Sequence, residues 1–471
     1  MSRPNIVFVM SDDHAAHAVG AYGSVVNTTP HIDRIAAGGV RVDNAFCTNA
    51  LCAPSRAAIL TGTHNHVNGV TTLTTDLDNS QPTFVSALHD AGYATAIVGK
   101  WHLGHGPAHD PRGFDSWMVL PDQGEYHDPT FIDNGVERVV GGYVTDIITD
   151  RAIEWLDGVP QGQPFCLMVH HKAPHRPWQP DAAHAHLYDD VDIPVPDTFF
   201  DDYANRAEAA RVATMRVAHD LDDPVDLKEP VPDGLSPEDE ARWKYQRYLK
   251  DYLRCIASVD DNVGRLLDHL DARGLTDDTI VVYTSDQGFF LGDHGWYDKR
   301  FMYEESLRMP LLVRYPGEIA PGTVTDTMVS NVDFAQTFLD YAGVPAPDRM
   351  QGRSLRRVLA GDTPPGWRPV HYYRYWENDS RPHHVRAHYG VRTPRYKLIF
   401  YYSDGLGLPG TSGERFTPEW ELFDLATDPR ELRSVYHDPA YVRVRDELTA
   451  LLAEVQDEVG DIPWRQPEEV G

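Results

Sequence analysis

Thiols are scarce in this chain. Cys47, Cys52, Cys166 and Cys255 are its only cysteines in 471 residues. They form no CxxC pair and no spacing typical of a disulfide framework or a zinc site, so reduced thiols are expected. Basic residues are also short, with 42 Lys and Arg against 71 Asp and Glu, a formal charge of -29. That balance argues against nucleic acid and against an anionic membrane as partner. Long apolar runs are missing too, and nothing approaches the roughly 18 residues a membrane span requires. The N-terminal run Ile6–Met10 is too short for a signal-peptide core, and no small-residue cleavage pattern follows it. A soluble, cytoplasmic protein is the expectation, although a secreted form trimmed of its leader would read the same way.

What is present points to a large folded core. Apolar residues make up 41% of the chain and there are ten tryptophans, which excludes a disordered polymer. Short apolar runs recur: NIVFVMS, YATAIVG, FCLMVHH, TIVVYTS and PLLVRYP. Such runs, unbroken by alternating polar residues, suit strands covered on both faces. Segments 83–92 and 143–158 lie between them, with helical apolar spacing and a closing glycine. The alternation predicts an α/β fold with a largely parallel sheet and helices on both faces. Residues 181–245 break the pattern with acidic, proline-containing stretches, and a helix is expected over 244–274. GDTPPGWRP reads as a linker, followed by aromatic strand-like segments and a terminal helix. The expected domains are 1–367 and a smaller α+β domain, 368–471.

In open α/β sheets, ligands bind beyond the carboxyl ends of the strands. The residues that follow the apolar runs are Asp12-Asp13, Lys100 with His102, His175, Asp286-Gln287 and, further on, Lys299. Asp12, Asp13, Asp286 and Gln287 are oxygen donors suited to Ca²⁺ or Mg²⁺, and crowded carboxylates need such a cation. Arg56, Lys100, His102, His175 and Lys299 describe a pocket for a tetrahedral oxyanion. A locally cationic pocket also answers the overall negative charge. Cys52 is harder to place. Pro54 and Ser55 suit the first turn of a helix, so the thiol sits near a helix N-terminus. It reads as a plain buried cysteine or as a reactive thiolate, yet a hard-cation site prefers oxygen to sulfur.

The stretch CAPSRAAILTG at 52–62 resembles the signature of the type I sulfatases of the alkaline phosphatase superfamily. The resemblance extends to NIVFVMSDD, GKWHLG at 99–104, APH at 173–175, SDQGFFLGDHGWYDKR at 285–300 and GVRTPRYKLI. It implies an alkaline-phosphatase-like fold with a smaller C-terminal domain carrying an antiparallel sheet. It also implies that Cys52 is oxidised to formylglycine by a formylglycine-generating enzyme. Asp12, Asp13, Asp286, Gln287 and residue 52 would then hold one Ca²⁺, with Mg²⁺ the lesser alternative. Many members carry Asn where this chain has Gln287.

The implied chemistry is sulfate ester hydrolysis. One hydroxyl of the hydrated aldehyde attacks sulfur, with Arg56, Lys100 and Lys299 stabilising the charge. His175, with Lys299, protonates the leaving alcohol, and His102 takes a proton from the second hydroxyl to expel sulfate. Within the family the chain is most similar to carbohydrate sulfatases of the N-acetylglucosamine-6-sulfatase type. His383, His384, Arg386 and His388 are the candidate sugar contacts. The alternatives are an arylsulfatase, a phosphodiesterase or phosphonate monoester hydrolase of the same superfamily, and, more remotely, a non-catalytic sugar-binding protein.

Overall fold

The computed structural model describes residues 3–465; positions 1–2 and 466–471 of the two expected domains lie outside them. Ten strands form the main sheet. They are β1 (Asn5–Ser11), β2 (Val40–Val42), β3 (Ala94–Lys100), β4 (Ser116–Leu120), β5 (Thr130–Asp133), β6 (Val136–Val139), β7 (Phe165–His170), β8 (Thr279–Ser285), β9 (Leu311–Arg314) and β10 (Thr323–Thr325). Their spatial order is β10-β2-β9-β8-β1-β7-β3-β4-β5-β6. The five central strands, β8-β1-β7-β3-β4, pair in parallel, and β9, β5 and β6 run antiparallel to their inner neighbours.

Each central strand is apolar on both sides because both sides are covered. From β1, Ile6, Phe8 and Met10 enter one core, while Val7 and Val9 enter another. The first core is closed by α2 (Cys52–Thr61), α3 (Phe84–Asp90) and α6 (Asp333–Ala342), the second by α1 (Pro30–Ala37), α4 (Val144–Gly158) and α5 (Pro237–Ala272). This is the predicted α/β layering.

The long helix α5 begins seven residues earlier than the apolar spacing suggests. SPEDE, which reads as part of an acidic loop, is a helix start: Ser236 accepts from the Asp239 amide, Pro237 opens the first turn, and three acidic residues face the helix N-terminus. Among the described residues no helix is long and apolar enough to cross a membrane.

The part of the 181–245 excursion before α5 braces the molecule. Thr198 accepts from the His294 amide at 2.9 Å, and Tyr203 stacks on Trp296 at 5.3 Å. The Thr214 amide donates to the His383 carbonyl at 2.8 Å. Beyond the linker lies a four-stranded antiparallel sheet: β11 (His371–Tyr375), β12 (His388–Arg392), β13 (Tyr396–Tyr401) and β14 (Glu419–Asp424). It packs against the terminal helix α7 (Val442–Val459).

Candidate active site

The parallel register decides which residues meet. Ser11 of β1 is level with Ser285 of β8, and Met10 and Gly99 are both level with His170 of β7. The chain therefore leaves β1, β8, β3 and β7 at one edge of the sheet. There it places Asp12-Asp13, Asp286-Gln287, Lys100-Trp101-His102 and the segment leading to His175. Asp13 takes a positive φ of 68°, which turns the chain sharply beyond the strand end. Its carbonyl accepts from Tyr252 at 2.7 Å and its amide donates to Asp286 Oδ1 at 3.2 Å.

Cys52 is the first residue of α2, 1% exposed. Its Sγ lies 3.1 Å from Asp12 Oδ1, 3.5 Å from Lys299 Nζ and 3.8 Å from Gln287 Nε2. The helix is fixed by Ser55, which donates to the Asp286 carbonyl and accepts from Asn331 at 2.9 Å. Arg56, also 1% exposed, donates to Asp286 Oδ2 at 3.1 and 2.9 Å and to the Lys100 carbonyl at 2.8 Å. Lys100 pairs with Asp12 and donates to Gln123 Oε1. Lys299 bridges both oxygens of Asp13 at 2.6 and 2.7 Å. His175 Nε2 stands 3.7 Å from Asp13 Oδ2, while its Nδ1 donates to the Arg176 carbonyl at 2.7 Å.

The electrostatics reveal a site short of positive charge at one point. Burial raises the Asp12 carboxyl, but Lys100, His175, Arg56 and Lys299 outweigh it and hold the group well below its usual range. Asp13 is pushed up to about 7 by burial, against Lys299 and with Asp12 and Asp286 adding repulsion. Asp286 is pushed up to about 6 by burial and by Asp12. Carboxylate oxygens of these three lie within 4.8 Å of one another. The buried Oε1 of Gln287 has no hydrogen-bond partner. Crowded buried carboxylates with an orphaned amide oxygen fit a hard divalent cation. Cys52 is raised well above the ordinary thiol range by burial and by Asp12, so the residue is a thiol and a thiolate is disfavoured. His102 and His175 are held well below the ordinary imidazole value by burial and by Lys100.

This combination of a C-x-P-S-R helix start, an acidic trio and three flanking cations is matched along the chain. Residues 4–344 fit the family profile described as Sulfatase, and residues 292–458 fit that of the N-sulphoglucosamine sulphohydrolase C-terminal region. The chain belongs to the sulfatases. It is a sulfuric ester hydrolase. This sulfatase is 42% identical to an N-acetylglucosamine-6-O-sulfatase of Bacteroides thetaiotaomicron, over 98% of this chain and 87% of that protein. It is 29% identical to the goat (Capra hircus) N-acetylglucosamine-6-sulfatase, over 92% and 80% of the two chains. A solved structure described as bound to its substrate D-glucosamine-2-N,6-O-disulfate superposes with a TM-score of 0.91, at 42% identity and full coverage of both chains.

All ten residues expected to carry the chemistry converge on this edge. The four expected sugar contacts divide. His383 Nε2 lies 3.4 Å from Asp298 Oδ2, beside Lys299 in the chain. His384 pairs with Asp379 at 2.9 Å and faces a cavity of about 540 Å³ shared with Arg300, Glu377, Thr411 and Ser412. Arg386 and His388 are corrections. Arg386 lies over the Phe416 ring and 3.6 Å from Glu419. His388, fully buried, is enclosed by the rings of Phe301, Tyr373, Tyr375 and Tyr401. As the first residue of β12 it belongs to the seam between the two sheets, where its ring serves as packing.

Two residues at the site were not singled out by the sequence. Gln123 follows β4 in the turn PDQG and touches both Lys100 and His102. Arg300 donates to Asp298 at 3.1 Å and Glu377 at 3.0 Å, tying the site to the segment that follows β11. Arg300 stands inside the DKR stretch, where only the lysine drew notice. A lone glutamine in a turn carries no such signal.

Proposed function

We propose that this sulfatase removes the 6-O-sulfate of a glucosamine-type sugar. The observation that carries this reading is the full-length likeness to two N-acetylglucosamine-6-sulfatases, combined with a cavity beside the oxyanion pocket. His384 stands at the wall of that cavity, and His383 lies next to it in the chain against Asp298; both are candidate donors to the sugar's hydroxyl or sulfate oxygens.

Residue 52 in the working enzyme is formylglycine, whose hydrate supplies an oxygen nucleophile and a second hydroxyl for sulfate release. Asp12, Asp13, Asp286 and Gln287 would hold Ca²⁺, which neutralises the acidic trio and polarises a bound sulfate oxygen. The chain's own residues do the rest. Lys100 and Lys299 present ammonium groups from two sides to the sulfate oxygens, where developing charge is stabilised in a dry site. Arg56 stays locked on Asp286 and lends its charge to position 52. His175, neutral without ligand and with its free lone pair on Nε2, gains a proton more readily once an anion sits beside it, and then passes it to the leaving alcohol. His102 accepts a proton during turnover. The small domain, by way of Arg300, sets which sugar fits.

Sulfate release from N-acetylglucosamine 6-sulfate, glucosamine 2-N,6-O-disulfate, other O-sulfated sugars, an aryl sulfate and an aryl phosphate tests the reading. Faster turnover of the two 6-sulfates is expected; preference for the aryl phosphate would favour a phosphonate- or phosphate-ester hydrolase instead. Cys52→Ala should abolish sulfate release. The mass of the peptide containing position 52 should show sulfur replaced by oxygen.

A further inference from the structure

Gln123 is held between two residues of the site in a way that leaves its amide a single orientation. Its Oε1 lies 2.5 Å from Lys100 Nζ, and its Nε2 lies 3.4 Å from His102 Nε2. An ammonium group only donates, so the atom facing Lys100 must be the carbonyl oxygen. The amide NH₂ therefore faces the imidazole. A donor facing Nε2 requires a lone pair there, which places the proton of the neutral ring on Nδ1.

The backbone supports this placement. Gln123 sits in a turn between Asp122, with φ 47°, and Gly124, with φ 66°. The Gly124 amide closes the turn onto the Pro121 carbonyl at 2.9 Å, and a Cβ at Gly124 would come within 2.9 Å of Leu120. His102 itself has φ 55°. Left-handed backbone at non-glycine residues is strained and persists where the surroundings enforce it. Two such residues aim the amide and the imidazole at each other. The imidazole Nδ1 is buried without a partner, so no other hydrogen bond competes to set the ring's proton.

We propose that Gln123 is a positioning residue that fixes His102 in the Nδ1–H tautomer, holding the Nε2 lone pair toward the amide, which yields it to a proton during turnover. Lys100 orients the amide, and the amide orients the histidine. The final clause rests on the role given to His102 in the proposed function; the tautomer itself does not.

The conservative variant Gln123→Glu separates the two faces of the side chain. A carboxylate still accepts from Lys100 but has no hydrogen to offer His102, so Nε2 must become the donor. Nitrogen NMR of protein with ¹⁵N-labelled histidine, carrying unmodified Cys52 and with His102 assigned by loss of its signals in His102→Gln, reads this without any turnover. Nδ1 protonated and Nε2 bare is expected in the parent, and Nε2 protonated in Gln123→Glu. A protonated Nε2 in the parent, or no change in the variant, overturns the proposal.

In the modified enzyme, Gln123→Glu should lower kcat on the order of 100-fold with KM changed little, the scale of a lost general base. Gln123→Leu, of similar size, should also lose kcat. A raised KM at unchanged kcat would place Gln123 on the substrate and overturn the positioning role. A switched tautomer with kcat unchanged would instead overturn the role assigned to His102.

Discussion

At the scale of single residues, the site is organised around three crowded, buried carboxylates. Asp13 and Asp286 resist ionisation because burial and their neighbours oppose it. Lys299 and Arg56, each already bonded to one of them, do not fully offset this. A divalent cation would remove the conflict, so metal binding should be strongly coupled to stability. Chelation of the resting protein should lower Tm, and excess Ca²⁺ should restore it. A hundredfold excess over Kd corresponds to about 2.7 kcal/mol. Differential scanning fluorimetry with and without chelator checks this, and Asp13→Asn with Asp286→Asn should abolish the Ca²⁺ response. An unchanged Tm in the parent would mean that the trio holds no metal.

Among the elements, α1 offers a cap borrowed from elsewhere in the chain. Its own Thr29 makes no capping bond. Instead Asp260 of α5 accepts from the His31 and Ile32 amides at 3.0 and 2.8 Å. Burial raises this carboxyl to about 6 despite those amides. The folded protein therefore holds the proton more tightly than the unfolded chain, whose value lies near 3.9. Stability from this group is intact below about pH 4, falls as pH rises to about 6, and is level beyond. Asp260→Asn does not ionise. Its Tm relative to the parent should rise between about pH 4 and about pH 7, by the equivalent of on the order of 2 kcal/mol. A constant difference in Tm across that range would refute the assignment.

Elements of this kind also mark how far sequence carries. The central strands were legible because each is apolar on both faces, and their ends named the site because parallel strands share an edge. The start of α5 was hidden within a proline-rich acidic run that also met the rule for a helix cap. His388 misled because a histidine between aromatic residues reads as a polar contact, whereas four rings around it make it filling. Gln123 was invisible because its meaning comes from two long-range neighbours, which no local pattern encodes.

For the whole molecule, the charge of -29 and the cationic pocket act at different ranges. Far from the surface an anionic substrate meets net repulsion; within the pocket it meets Lys100, Lys299 and Arg56. Screening shortens the first interaction more than the second, since the Debye length falls from about 30 Å at 0.01 M salt to about 8 Å at 0.15 M. With sodium chloride as the variable, kcat/KM for a sulfated sugar should rise over this range. A fall would mean that the pocket's field dominates the approach.

Every residue of α2 is buried, Cys52, Pro54 and Arg56 included. An agent that must reach the thiol, or recognise the residues beside it, finds them accessible only before the sheet and its helices close. For the formylglycine proposed at position 52, two clocks would then run on each new chain, one for modification and one for folding. Whichever finishes first fixes the outcome for that molecule. Under that proposal a preparation is a census of those races, with active and inert copies sharing one fold and no route between them short of unfolding.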